Sequence, residues 1–241
     1  MNRPPGPSRR PLLRAAGTSL LVFALGLLSL PAFACDSPAA SARQTIVLFD
    51  YSGAEQGEAR NQYSLFKGAL RDKITVWFDE LADLRPAAPF LGDLGLHPRS
   101  GPLPDTLAGP SDLEEYWRRN QALELLRGGV VPGNGNFSVR SRIYLGELSG
   151  ELGSTSVSVS LPISGNEFAN ANDSHSLVTY YALAMEAKRL QCAPGVVVGL
   201  LGKAREKAAD LDRRNMGDPE IQRIGRAIEA ELATATQGNS P

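Results

Sequence analysis

Two cysteines and two histidines are all that 241 residues provide. Cys35, Cys192, His97 and His175 are widely separated, so the chain has no Cys/His cluster with metal-ligand spacing. Nor does it contain a Gly-x-Ser-x-Gly elbow, a Gly-rich phosphate loop or a His-Glu-x-x-His helix, the short motifs that carry acyl-transfer, nucleotide and zinc chemistry. Nothing calls for a metal or a cofactor. An excess of positive charge is missing too: 25 basic side chains stand against 26 acidic ones, with no basic block and no Arg/Lys stripe interleaved with aromatics. Nucleic acid is therefore not an expected partner.

Residues 1–34 are the most informative stretch. Arg3, Arg9, Arg10 and Arg14 precede an apolar run from Leu20 to Leu30, and Ala32-Phe33-Ala34 has the small-x-small form cut by a signal peptidase. This predicts an export signal cleaved after Ala34 and a periplasmic or secreted protein, Cys35–Pro241. Ser8-Arg9-Arg10-Pro11-Leu12-Leu13-Arg14 resembles the twin-arginine motif, while Leu20–Leu30 is as apolar as a general secretory signal; both routes fit. The apolar run is shorter than the roughly 18 residues of a membrane span, so the mature form is expected to lack one. A lipid anchor on Cys35 is disfavoured by Ala32 and Phe33, where lipoprotein signals carry an aliphatic residue and then a small one. Without the four leader arginines, the 25 basic residues become 21 against 26 acids, a formal charge of −5.

The remaining length suits one domain, or one domain with a helical appendage. In an oxidising compartment, Cys35 and Cys192 are candidates for a disulfide that fastens the mature terminus to the body. Closing 157 positions stabilises by about 4 to 5 kcal/mol in the chain-entropy account. The alternative is a buried Cys192 with Cys35 in a frayed end.

Residues 35–43 read as a tether. Ile46–Phe49 is a continuous apolar run suited to a strand buried on both faces. Tyr63, Phe66, Leu70, Ile74, Trp77, Leu81 and Leu84 recur at helical spacing, although Ile74-Thr75-Val76 would also suit a short strand. Residues 85–110 hold six prolines and predict a long irregular loop, yet they include Phe90, Leu91, Leu94 and Leu96. Ser111-Asp112-Leu113-Glu114 has the form of a capping box, predicting a helix that runs to about Arg127 and stops at Gly128-Gly129. Phe137, Val139, Ser141, Ile143 and Leu145 alternate with polar residues, as do Val157, Val159 and Leu161; together they predict an antiparallel hairpin. A helix capped by Asp173 or Ser174 should follow and end before Pro194. Residues 193–235 should add a C-terminal helical extension, and 236–241 a flexible tail. The expected class is α+β: a mixed sheet bearing a hairpin, helices packed on one face, and C-terminal helices, with the main domain at 44–192.

This order of elements resembles the small α/β domain at the N-terminus of TolB and the related folds of LpoB-type penicillin-binding-protein activators and CsgG. The words that carry it are the strand Ile46–Phe49, Ala122-Leu123-Glu124-Leu125-Leu126-Arg127-Gly128-Gly129-Val130-Val131, read as a helix leading into a Gly-Val strand, and Ser138–Leu145. The loop at 85–110 is long for that group, and the helices after Val196 lie outside it. The resemblance implies binding and assembly in the cell envelope rather than catalysis.

Candidate site residues are few. Asp173-Ser174-His175-Ser176 places a carboxylate, a nucleophile and an imidazole together, which a hydrolase could use only if they converged on one bond. Capping explains Asp173 and Ser174, and surface exposure would explain His175. Asp50, at the carboxyl end of the first strand, stands where α/β sheets place ligands, with Ser52-Gly53-Ala54 turning after it. Phe90, Leu91 and Leu96 are candidate anchors for a partner protein. The expected function is that of a non-catalytic, exported envelope binding or accessory protein acting through protein contacts, with a periplasmic hydrolase or a small-ligand carrier as alternatives.

Overall fold

A computed structural model describes residues 35, 42–55, 57–99, 109–132, 137–163, 168–214 and 219–237. The leader with its cleavage residues Ala32 and Ala34, most of the tether, and the last four residues of the tail lie outside them.

Thr45–Phe49 forms β1, Gly57–Glu80 α1, Gly95–Arg99 β2, Pro110–Arg119 α2, Ala122–Pro132 β3, Phe137–Tyr144 β4, Ser156–Ile163 β5, Phe168–Arg189 α3, Pro194–Arg214 α4 and Pro219–Gln237 α5. Among the described residues the strands make one mixed sheet in the order β2-β1-β3-β4-β5. β1 runs parallel to both β2 and β3, while β3–β4 and β4–β5 are antiparallel. The fold is therefore α+β. Its first half, β1-α1-β2-α2-β3, is wound outward from β1 in both directions.

Strand alternation shows which helix covers which face. Ser141 of β4 reaches His175 of α3, and Tyr51, just after β1, stacks on Tyr63 of α1. Three residues on from Ser141, Tyr144 meets Trp117 of α2, and Phe49 meets Tyr116. So α1 and α3 form the main helical layer, and the short α2 lies on the opposite side. The C-terminal helices share the same core: Leu200, Leu201, Leu211, Ile224 and Ile228 are all buried with α3.

Three local expectations are corrected. The helix expected to run to Arg127 ends at Arg119, and Ala122–Pro132 is a strand. Leu123, Leu125 and Leu126 favour helix on propensity, but the strand is wedged between β1 and β4 and buries 122–126 completely, and burial outweighs a few tenths of a kcal/mol per residue. Ser111 does not cap α2; Gly109 holds that position, with no side-chain cap and Pro110 at the first helical position. Asp173 and Ser174 do not cap α3 either, because the helix begins at Phe168 and carries both inside its length, buried.

A fourth correction concerns the long loop expected at 85–110, of which 100–108 lie outside the described residues. Pro89–Asp93 is a 3-10 turn and Gly95–Arg99 is the edge strand β2. Pro98 is tolerated there because an edge strand has one row of backbone donors left unpaired. Phe90 and Leu91, expected as anchors on a surface, are 2 % and 0 % exposed and belong to the core; Leu96 is half-buried against it. Leu91→Ala is accordingly expected to cost about 3 kcal/mol in urea unfolding, with the midpoint falling and the slope unchanged. A variant as stable as the parent would return this side chain to the surface.

The chain ahead of β1 is fastened at both ends. Cys35 is disulfide-bonded to Cys192. Arg43 lies 3.7 Å from the centre of the Trp117 ring, pairs with Glu147 at 2.8 Å, and donates its backbone N–H to Glu186 at 2.7 Å.

Candidate functional site

Apolar β1 ends at Phe49, and the next residues turn polar at the carboxyl edge of the parallel strands. The turn is sewn onto β3: Ser52 N–H donates to the Gly128 carbonyl at 3.0 Å, and Val130 N–H to the Ser52 carbonyl at 2.9 Å. Gly53 has φ of +76°, and a Cβ on it would stand 2.7 Å from the Val130 oxygen, so glycine is required there twice over. Gly128 has a different reason. A Cβ at that position would lie 2.0 Å from the Arg140 carbonyl oxygen of β4 and 2.6 Å from the Tyr51 ring, which packs on the bare backbone of β3.

Because the turn itself fills the space between β1 and β3, the open volume lies on the α1 side. A cleft of about 380 Å³ is lined by Asp50, Glu55, Arg60, Tyr63, Ser64 and Lys67, with Tyr51 and Ala54 at its base. Asp50 pairs with Lys67 at 3.2 Å, and both side chains are more than a third exposed, so the pair holds geometry more than it stabilises. Tyr63 Oη donates to the Phe49 carbonyl at 3.1 Å, and the Lys67 ammonium lies 5.3 Å from the Tyr63 ring centre. Burial, then the neighbouring Tyr51 and Asp50, drive the Tyr63 phenol far above its ordinary range. It acts as a hydrogen-bond donor, not as a base. The cleft thus presents carboxylates, cations and hydroxyls side by side, an arrangement that recognises polar, charged groups.

Beneath it runs a buried polar seam. Tyr51 Oη and Ser141 Oγ are 2.7 Å apart, and His175 Nε2 lies 3.2 Å from the same Ser141 oxygen, with Phe66 against the imidazole. His175 is 1 % exposed, not on the surface as expected. Asp173 goes elsewhere, to Lys73 at 3.3 Å and Arg214 at 2.8 Å, while Ser176 accepts from Trp77 Nε1 at 2.8 Å. Asp173 and His175, two members of the Asp173-Ser174-His175 group, thus have different partners.

Of the residues singled out from sequence, Asp50 lies in the cleft; Phe90, Leu91 and Leu96 do not. Arg60, Tyr63 and Lys67 were missed as site residues. Tyr63 was visible only as a core position of a helix, and Lys67 lies one turn further along, on the same side. Among the described residues no three His, Cys, Asp or Glu side chains gather as a metal-ligand set. No helix among them is long and apolar enough to cross a membrane. No protein-family model, curated protein or solved structure significantly matches the chain.

Proposed function

We propose that this chain is an exported cell-envelope binding protein, non-catalytic, which engages a partner protein through the polar cleft at the carboxyl end of β1. The observation that carries this reading is the juxtaposition of Asp50, Arg60, Tyr63 and Lys67 around an open volume at that edge, while Phe90 and Leu91 are spent in the core. The leader supports the exported address. So does the Cys35–Cys192 bond, which persists in an oxidising compartment. A charged segment of an envelope protein matches the mixed charges of the rim.

The test is photocrosslinking from position 64 in intact cells. A discrete partner should be captured, and Lys67→Glu, which reverses a charge on the rim, should abolish capture while shifting stability by no more than about 1 kcal/mol. Recovery of no partner, with the purified chain remaining a lone monomer, would sink the proposal. The cleft volume also fits a small polar ligand, and a carrier would reveal itself in a thermal-shift screen by a compound whose effect is lost in the same variant.

A further inference from the structure

Arg127 of β3 and Arg142 of β4 are direct cross-strand partners, and Arg140 follows on the same face of β4, opposite Gly129. Residues so paired have Cβ atoms about 5 Å apart, and like charges in that position destabilise a sheet. Among the described residues no ion pair involves any of the three. Two carboxylates of the neighbouring elements are engaged elsewhere. Glu114 of α2 pairs with Arg118 at 2.9 Å and accepts from Tyr144 Oη; Glu220 of α5 pairs with Arg223 at 2.6 Å and accepts from the Ser158 N–H at 3.1 Å. Burial, and after it the facing charge of Arg142, lower the affinity of Arg127 for its proton.

A chain with 26 acidic residues has no shortage of carboxylates with which to quench these cations. Instead a cavity of about 210 Å³ opens over Arg127 and Arg142, lined also by Leu113, Tyr144, Thr155 and Ser156. The unliganded sheet thus bears a repulsion across two strands beside a space where a compensating anion can sit. Two guanidinium forks leave one charge uncompensated on a single carboxylate but match a dianion, and tetrahedral oxygens accept from two forks approaching at different angles.

We propose that Arg127 and Arg142, with Arg140 beside them, form a binding site for a dianionic phosphate group, either free as a small phosphomonoester or carried on a lipid. The site lies on the α2 side of the sheet and is independent of the cleft at Asp50. Failure of one therefore says nothing about the other.

The experiment is calorimetric titration and thermal unfolding of the oxidised protein with inorganic phosphate and glycerol 3-phosphate, at fixed ionic strength set with chloride. Vesicles of phosphatidic acid in phosphatidylcholine, against phosphatidylcholine alone, form the lipid arm. Binding in the first arm assigns a free phosphate ester; sedimentation with phosphatidic acid vesicles alone assigns a lipid headgroup. Arg127→Gln with Arg142→Gln should weaken whichever binding is found by at least tenfold. The single variant Arg142→Gln should raise the melting temperature of the unliganded protein by relieving the repulsion, and Arg142→Lys, which keeps the charge without the fork, should bind less tightly than the parent. Arg71→Gln, which removes an exposed cation of α1 on the other side of the sheet, should bind like the parent. Binding unchanged in the double variant, or no response to any of these probes in the parent, would overturn the proposal.

Discussion

Reduction of the Cys35–Cys192 bond should lower the stability of the folded chain by about 5 kcal/mol without dissolving its secondary structure. The bond closes 157 positions, enclosing the whole of the sheet and its helical layer, so reduction releases a large loop-closure constraint on the unfolded chain. The native side loses less. With the bond opened, Arg43 still pairs with Glu147, Glu186 and Trp117, and Ala42 remains buried, so the start of β1 keeps its place. Far-ultraviolet circular dichroism of the reduced protein should therefore match that of the oxidised protein at 25 °C, while the urea midpoint falls steeply. Cys35→Ser should reproduce the reduced state, because Cys192 is almost wholly buried and its thiol would remain in apolar contact with its neighbours. Equal midpoints for the oxidised and reduced chains would mean that the terminus is held by Arg43 and its partners alone.

The elements legible from sequence are those whose pattern records burial locally. β4 and β5 alternate strictly because one side meets α3 while the other does not, and α1 repeats Tyr63, Phe66, Leu70, Ile74 and Trp77 because one face is buried along its length. β3 was illegible for the opposite reason. Buried on both sides from Ala122 to Leu126, it shows no alternation, and its leucines carry helix propensity that only the neighbouring strands overrule. β2 was hidden by Gly95 and Pro98, which look like loop until β1 is placed beside them. Local chemistry misled at α3: Asp173-Ser174 reads as a cap, but the residues that fix its place, Lys73 and Arg214, stand 100 and 41 positions away.

The candidate sites divide along the same line. Asp50 could be named because the end of a strand is a local event, whereas its partner Lys67 joins it only when α1 folds back along the sheet. Arg140 and Arg142 were visible as the polar side of a hairpin. Arg127, placed by its sequence in a helix, could not be seen opposite Arg142 until β3 was recognised as a strand.

Glu124→Gln should stabilise the protein by about 5 kcal/mol above pH 8 and by little at pH 5. Glu124 is 1 % exposed near the start of β3, on the side facing α3, and its Oε1 and the Thr179 hydroxyl are both without a hydrogen-bond partner. The other buried acids differ: Asp173 pairs with Lys73 at 3.3 Å and Arg214 at 2.8 Å, Glu186 with Arg189 at 2.6 Å, and Glu231 with Lys188 at 2.7 Å. Burial pushes the Glu124 carboxyl from its ordinary 4.5 up to about 8, with only the nearby Thr179 hydroxyl acting the other way. The folded state therefore holds a proton that the unfolded state has released at any pH between these values. Below about 4.5 both forms are protonated and the contribution is fully present; from there stability falls by about 1.4 kcal/mol per pH unit, and above about 8 the loss is complete. Glutamine keeps the size and polarity of the neutral acid and cannot ionise. Urea unfolding at pH 5, 7 and 9 should give a difference between the two proteins that grows across this window and then levels off, since every other titrating group is common to both. A difference that stays constant from pH 5 to 9 would show that Glu124 ionises in the fold as readily as in the unfolded chain, through a partner reached by rearrangement of α3.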